Sequence, residues 1–125
     1  MRLFKLWSPV FAWAGFIFYL SSIPYLETGL PYDFLLRKIA HISEYFILTL
    51  FLYRAFKNTF TLKPLRLFVY PATTAVLYAV SDETHQLFVP GRGGSPRDVF
   101  IDAIGIFGFY LVVRAFRRST VKSRI

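Results

Sequence analysis

Three short stretches hold most of the residues in this chain that can move protons or balance charge. In the first, Lys38, His41, Glu44 and Tyr45 are spaced i, i+3, i+6 and i+7, so a helix would align them on one face. In the second, Asp82, His85 and Gln86 share a face, with Glu83 at its edge. In the third, Asp98 and Asp102 lie four apart, and Gly105 continues the same stripe. A histidine beside a carboxylate can activate a water or a hydroxyl, while Lys38 and Arg92 can hold a phosphate. His41, Glu44, Asp82 and Glu83 are therefore the acid/base candidates. His41, Glu44, Glu83, His85 and Asp102 are also competent metal ligands, but no short motif such as H-E-x-x-H unites them, and they fall on different helices. Neither a metal nor another cofactor is expected.

Each residue alone has a plainer use. Asp98 suits a helix cap, Glu27 and Asp33 suit a solvated loop, and Arg37 and Arg97 suit contacts with lipid headgroups. The elements that must carry these groups change the balance. Leu6 to Leu26 is a run of 21 residues without a charge, long enough for a helix to cross a hydrocarbon core of about 30 Å. It is longer than the apolar part of a signal peptide and has no clear small-residue cleavage site, so a retained helix is expected. Ile39 to Tyr53 contains only His41 and Glu44 as ionisable groups. Leu67 to Ser81 and Val99 to Val113 follow, the last broken only by Asp102. These shorter runs can still cross if flanking Lys and Arg snorkel and the polar residues face a protein interior. A charge at mid-membrane costs about 2.5–3.5 kcal/mol on insertion scales. Several of them on three helices make sense when they face one another or a wet cavity, which favours a polar pocket over a purely structural network of ion pairs.

The connections sharpen the elements. Val89 to Ser95 reads V-P-G-R-G-G-S, too rich in Gly and Pro for a helix. Ser95, Pro96 and Asp98 then form a helix-start signature. With an even number of spans, one side of the membrane holds 11 of the 15 basic residues and none of the seven acids. The excess of Lys and Arg assigns that side, and both termini, to the cytoplasm, with the acids at the outer face. The net charge of +8 is thus spread in short clusters between apolar runs rather than gathered in one stripe, which argues against nucleic-acid binding. With no cysteine, the chain has neither a disulfide framework nor a thiolate metal site. The expected fold is a single all-α domain, residues 1–125: a four-helix transmembrane bundle with helices near 6–26, 38–56, 65–88 and 96–116, in the cell membrane.

The segments K-I-A-H-I-S-E-Y (Lys38 to Tyr45) and S-D-E-T-H-Q-L-F-V-P-G-R-G-G-S-P-R-D-V-F-I-D-A-I-G (Ser81 to Gly105) resemble the VanZ-like family of small membrane proteins. The likeness extends over roughly Phe11 to Val113. It matches Lys38, His41, Glu44, Tyr45, Asp82, Glu83, Gln86, Pro90, Gly91, Arg92, Ser95, Asp98, Asp102 and Gly105. The family is named for an accessory protein linked to resistance to the glycopeptide teicoplanin, so the resemblance implies a role at the cell envelope without implying resistance. Lys38, Tyr45, Gln86, Arg92, Ser95, Asp98 and Asp102 are accordingly the candidates for binding substrate. The expected partner is a membrane lipid or a lipid-linked cell-wall precursor, which the protein recognises or modifies; the alternative is a non-catalytic binding or transport-accessory protein.

Overall fold

The computed structural model describes residues 1–23, 31, 33–91 and 96–123. Four helices account for nearly all of them: α1 (Arg2–Ser21), α2 (Asp33–Thr59), α3 (Pro64–Gln86) and α4 (Pro96–Ser123). Several boundaries differ from those expected. α1 starts and ends earlier than 6–26, since residues 22 and 23 form a turn in which the Ser22 hydroxyl and amide both bond to the Phe18 carbonyl. Residues 24–26 lie outside the described set. α2 begins five residues before position 38 and runs three past 56. α3 stops at Gln86 rather than 88, where the chain turns through Phe88 and Val89 to Gly91, whose φ of 78° favours a residue without a Cβ. α4 continues to Ser123, because nothing in its basic tail breaks a helix.

Proline marks both later starts. Pro64 and Pro96 are the first residues of α3 and α4, where the missing N–H costs nothing. Inside the helices, Thr49, Thr74 and Thr84 each bond to the carbonyl four residues back, so a hydroxyl can sit in an apolar helix without seeking water.

Contacts between the helices define an up-down-up-down bundle. Trp7 Nε1 donates to Thr59 Oγ1 at 2.9 Å and Trp13 Nε1 to the Glu44 carbonyl at 2.9 Å, which runs α1 antiparallel to α2. Tyr110 OH donates to the Phe68 carbonyl at 2.8 Å, pairing late α4 with early α3. α2 packs against all three other helices, and α1 and α4 flank the α2–α3 pair. The α2–α4 interface is the most extensive, and Gly105 explains how. A Cβ there would overlap the Ile42 carbonyl oxygen and lie 3.1 Å from the Phe46 amide nitrogen. Only hydrogen lets the two backbones approach this closely.

The distribution of polarity is inverted relative to a water-soluble domain. Leu48, Leu52, Ala75, Ala79, Ile106 and Phe109 form the middle of the core, but Ser21, Thr49, Asp82, Glu83, Gln86 and Asp102 are buried with them. Meanwhile Phe11, Tyr19, Ile39, Leu77, Phe100, Phe107 and Leu111 are exposed. Arg2–Ser21 and Pro96–Thr120 are long and apolar enough to cross a membrane, and only 17% and 28% of their most apolar windows are buried. The core helix of a soluble protein is mostly buried; these two present apolar side chains outward.

Candidate functional site

The end of α1, the start of α2, the end of α3 and the start of α4 meet at one end of the bundle, where Glu44, Asp82, Glu83, Asp98 and Asp102 gather. Asp82 is the centre of this cluster. Its Oδ1 accepts from Ser21 Oγ at 2.5 Å, and its Oδ2 accepts from Gln86 Nε2 at 3.2 Å and Tyr45 OH at 3.4 Å. All four residues are buried. Three neutral donors thus stand in for the water that this carboxylate lacks. Helical spacing supplies Gln86 one turn along from Asp82, whereas Ser21 and Tyr45 arrive from α1 and α2.

Two further pairs join α2 to α4. Lys38 forms an ion pair with Asp98 in the first turn of α4. One turn deeper, His41 Nδ1 lies 2.9 Å from Asp102 Oδ1. Asp102 is completely buried, and its Oδ2 has no hydrogen-bond partner among the described residues. Both pairs follow from the matched spacings: Lys38 to His41 and Asp98 to Asp102 each advance one turn along parallel helices.

A pocket of about 190 Å³ opens between α1, α2 and α3. Arg37, His41, Glu44, Asp82, Gln86 and Ser21 form its polar wall, and Ile17, Leu20, Leu36 and Ala40 its apolar wall. Of the expected residues, the structure therefore brings His41, Glu44, Asp82 and Gln86 to one cavity. Lys38 and Asp98 occupy each other beside it. Tyr45 and Asp102 stand behind it, holding Asp82 and His41. Glu83 does not line this pocket; it lines a depression of about 390 Å³ between α3 and α4, with Val80, Thr84, Leu87, Pro96, Val99 and Phe100. Arg92, Ser95 and Glu27 lie outside the described residues.

Sequence reasoning expected the first helix but drew no site residue from it. Ser21 and Ser22 carry no charge, so nothing singled them out from other small polar residues at a helix end. Yet Ser22 Oγ lies 3.0 Å from His85 Nε2, and Phe18 stacks on the same ring at 4.4 Å. His85 therefore faces α1, away from His41. Arg37, read from sequence as a headgroup contact, lines the pocket.

Among the described residues, one group can be drawn toward a metal ion. A ring nitrogen of His41 and one carboxylate oxygen each from Glu83 and Asp102 lie within 4.8 Å of one another.

The family model described as VanZ/LLP1 matches residues 2–117, nearly the whole chain. No curated protein matches the chain, and no solved structure does.

Proposed function

The chain belongs to the VanZ/LLP1 family, and from that premise we propose that it is a multi-pass protein of the cell membrane whose pocket recognises the polar head of a lipid-linked or cell-wall-related molecule. The observation that carries this reading is the pocket's two-sided wall. Arg37 suits an anionic group such as a phosphate, Glu44 suits hydroxyl or amino groups, and the wall of Ile17, Leu20, Leu36 and Ala40 suits an acyl or prenyl chain.

Four crossings are supported by length and by the inverted polarity. α2 and α3 have 27 and 23 residues, roughly 40 and 34 Å of helix, against a core of about 30 Å. Within their apolar runs, Asp82 and Glu83 are buried and His41 and Glu44 half-buried, while Leu35, Ile39, Leu50, Leu77 and Val80 face outward. Orientation follows the basic residues. Arg2, Lys5, Arg54, Lys57, Lys63, Arg66, Arg114, Arg117, Arg118 and Lys122 belong to the end opposite the pocket, so that end and both termini are cytoplasmic and the pocket serves the outer leaflet.

A catalytic reading is favoured by one specific contact. His41 lines the pocket while a buried carboxylate, Asp102, holds its Nδ1, and an imidazole oriented in this way is suited to take a proton from a water or hydroxyl. Lipid extracts from cells with and without the gene test both readings. One lipid-linked species should change in abundance, and cells carrying Arg37→Ala with Glu44→Gln should match the deletion. If His41 does chemistry, His41→Gln alone should reproduce the full change; a binder should lose only part of its effect. Lipid profiles and teicoplanin susceptibility that both ignore the deletion would overturn the proposal.

A further inference from the structure

We infer that His41, Glu83 and Asp102 form a binding site for a first-row divalent cation, set between α2, α3 and α4. Each helix contributes one ligand, and the three candidate donor atoms already lie within 4.8 Å of one another. A tetrahedral ion with bonds of about 2.1 Å needs donors roughly 3.4 Å apart, so the widest pair closes by at most about 1.4 Å, within the reach of rotamer adjustment.

Two independent observations point to a ligand here. The first is the state of Asp102. This carboxylate is fully buried, with Oδ1 engaged by His41 and Oδ2 without a hydrogen-bond partner among the described residues. An oxygen in that condition forfeits its hydration without replacement, and a cation would satisfy it directly. The second is the charge arrangement. Glu83 is 4% exposed and Asp102 fully buried, and carboxylates brought this close in a dry interior repel one another. A single divalent ion bound between them offsets both negative charges.

The donor set narrows the ion. One imidazole and two carboxylates suit zinc or manganese; magnesium prefers oxygen ligands and keeps its waters, and the site has no thiolate for softer ions. Three protein ligands leave at least one coordination position open. His41 lines the α1–α2–α3 pocket and Glu83 the α3–α4 depression, so the ion would sit in the wall between the two cavities. The inference stands whether or not the pocket binds a lipid-linked molecule, because it concerns the apoprotein and the metal alone.

The full chain, purified in detergent without a polyhistidine tag and stripped with a chelator, should be titrated calorimetrically with zinc chloride and with manganese chloride. One ion should bind per chain, and the melting temperature should rise with metal concentration as binding to the folded state requires. Asp102→Asn and Glu83→Gln should each weaken binding at least a hundredfold. His85→Gln should bind as the wild type does, since His85 faces Phe18 and Ser22. The wild-type titration needs no variant to fold: absence of saturable binding of either ion would overturn the inference. So would binding that survives both carboxylate substitutions, or that disappears with His85→Gln.

Discussion

Asp82 illustrates how a carboxylate is kept in an apolar bundle. Its hydrogen bonds come from three helices and differ in quality: Ser21 at 2.5 Å is short, while Tyr45 at 3.4 Å is long and shares its oxygen with Gln86. The consequences of removing them should differ in the same order. Ser21→Ala strips Oδ1 of its donor inside the bundle and should cost about 1–3 kcal/mol. Tyr45→Phe leaves Oδ2 with Gln86 and should cost less than about 1 kcal/mol. Reversible unfolding in mixed micelles measures both, and a Tyr45→Phe variant less stable than Ser21→Ala would mean that Asp82 is held mainly from α2. The same residue carries a lesson about reading carboxylates as acids or bases. A group with three fixed donors is suited to positioning, whereas His41, held by one carboxylate at one nitrogen, retains a second nitrogen for other partners.

At the scale of elements, the site depends on the rotation of α2 against α4. Lys38 with Asp98 and His41 with Asp102 are in register because Gly105 seats α4 directly on the backbone of Ile42 and Phe46. Gly105→Ala should therefore separate the helices and destabilise the bundle by about 1–3 kcal/mol, the usual cost of forcing an extra methyl into packed atoms. The other helical glycines should behave oppositely. At Gly15 a Cβ meets nothing within 4 Å, and at Gly108 it meets only the Phe46 ring at 3.9 Å. Alanine at either position should be neutral or stabilising by about 0.5–1 kcal/mol. Comparing the three variants by thermal unfolding separates close approach from helix propensity, and equal effects at positions 15 and 105 would remove the explanation given for the register. α1 contributes differently, through side chains reaching carbonyls and rings: Trp13 to Glu44, Tyr78 to Ala14, and Phe18 to His85.

For the whole molecule, the two ends carry opposite chemistry. The basic end closes on aromatic packing, with Trp7 on Phe56 and Tyr110 between Phe68 and Tyr53, and Arg117 donating to Tyr53 OH at 2.6 Å. Aromatic rings with basic side chains suit the headgroup region of a cytoplasmic leaflet. The proposed orientation makes a direct prediction for single cysteines on intact cells. A membrane-impermeant maleimide should label Pro90→Cys and leave Asn58→Cys and Ser123→Cys unlabelled until the cells are opened. Labelling of positions 58 and 123 but not 90 would reverse the orientation, and labelling of all three would rule out a bundle that spans the bilayer.

What the chain determines by itself is local. Helix number, the proline start at position 96, and the sorting of acids to one end and bases to the other can be read along the chain. Length, hydropathy and charge accumulate residue by residue. Spacing also shows which residues share a face, as Lys38 does with His41 and Asp98 with Asp102. It does not show which neighbour that face meets. Each residue turns an α-helix by about 100°, so a modest rotation of α3 decides whether Glu83 lines the pocket with Asp82 or the depression beside α4. Packing chose the second, and it sent His85 to α1 rather than toward His41. It also recruited Ser21, whose uncharged hydroxyl gave no signal in sequence. The gathering of His41, Glu83 and Asp102 from three helices, 42 and 19 residues apart along the chain, is likewise a property of how the helices seat on one another, because only close contact at Gly105 brings α4 near enough to α2.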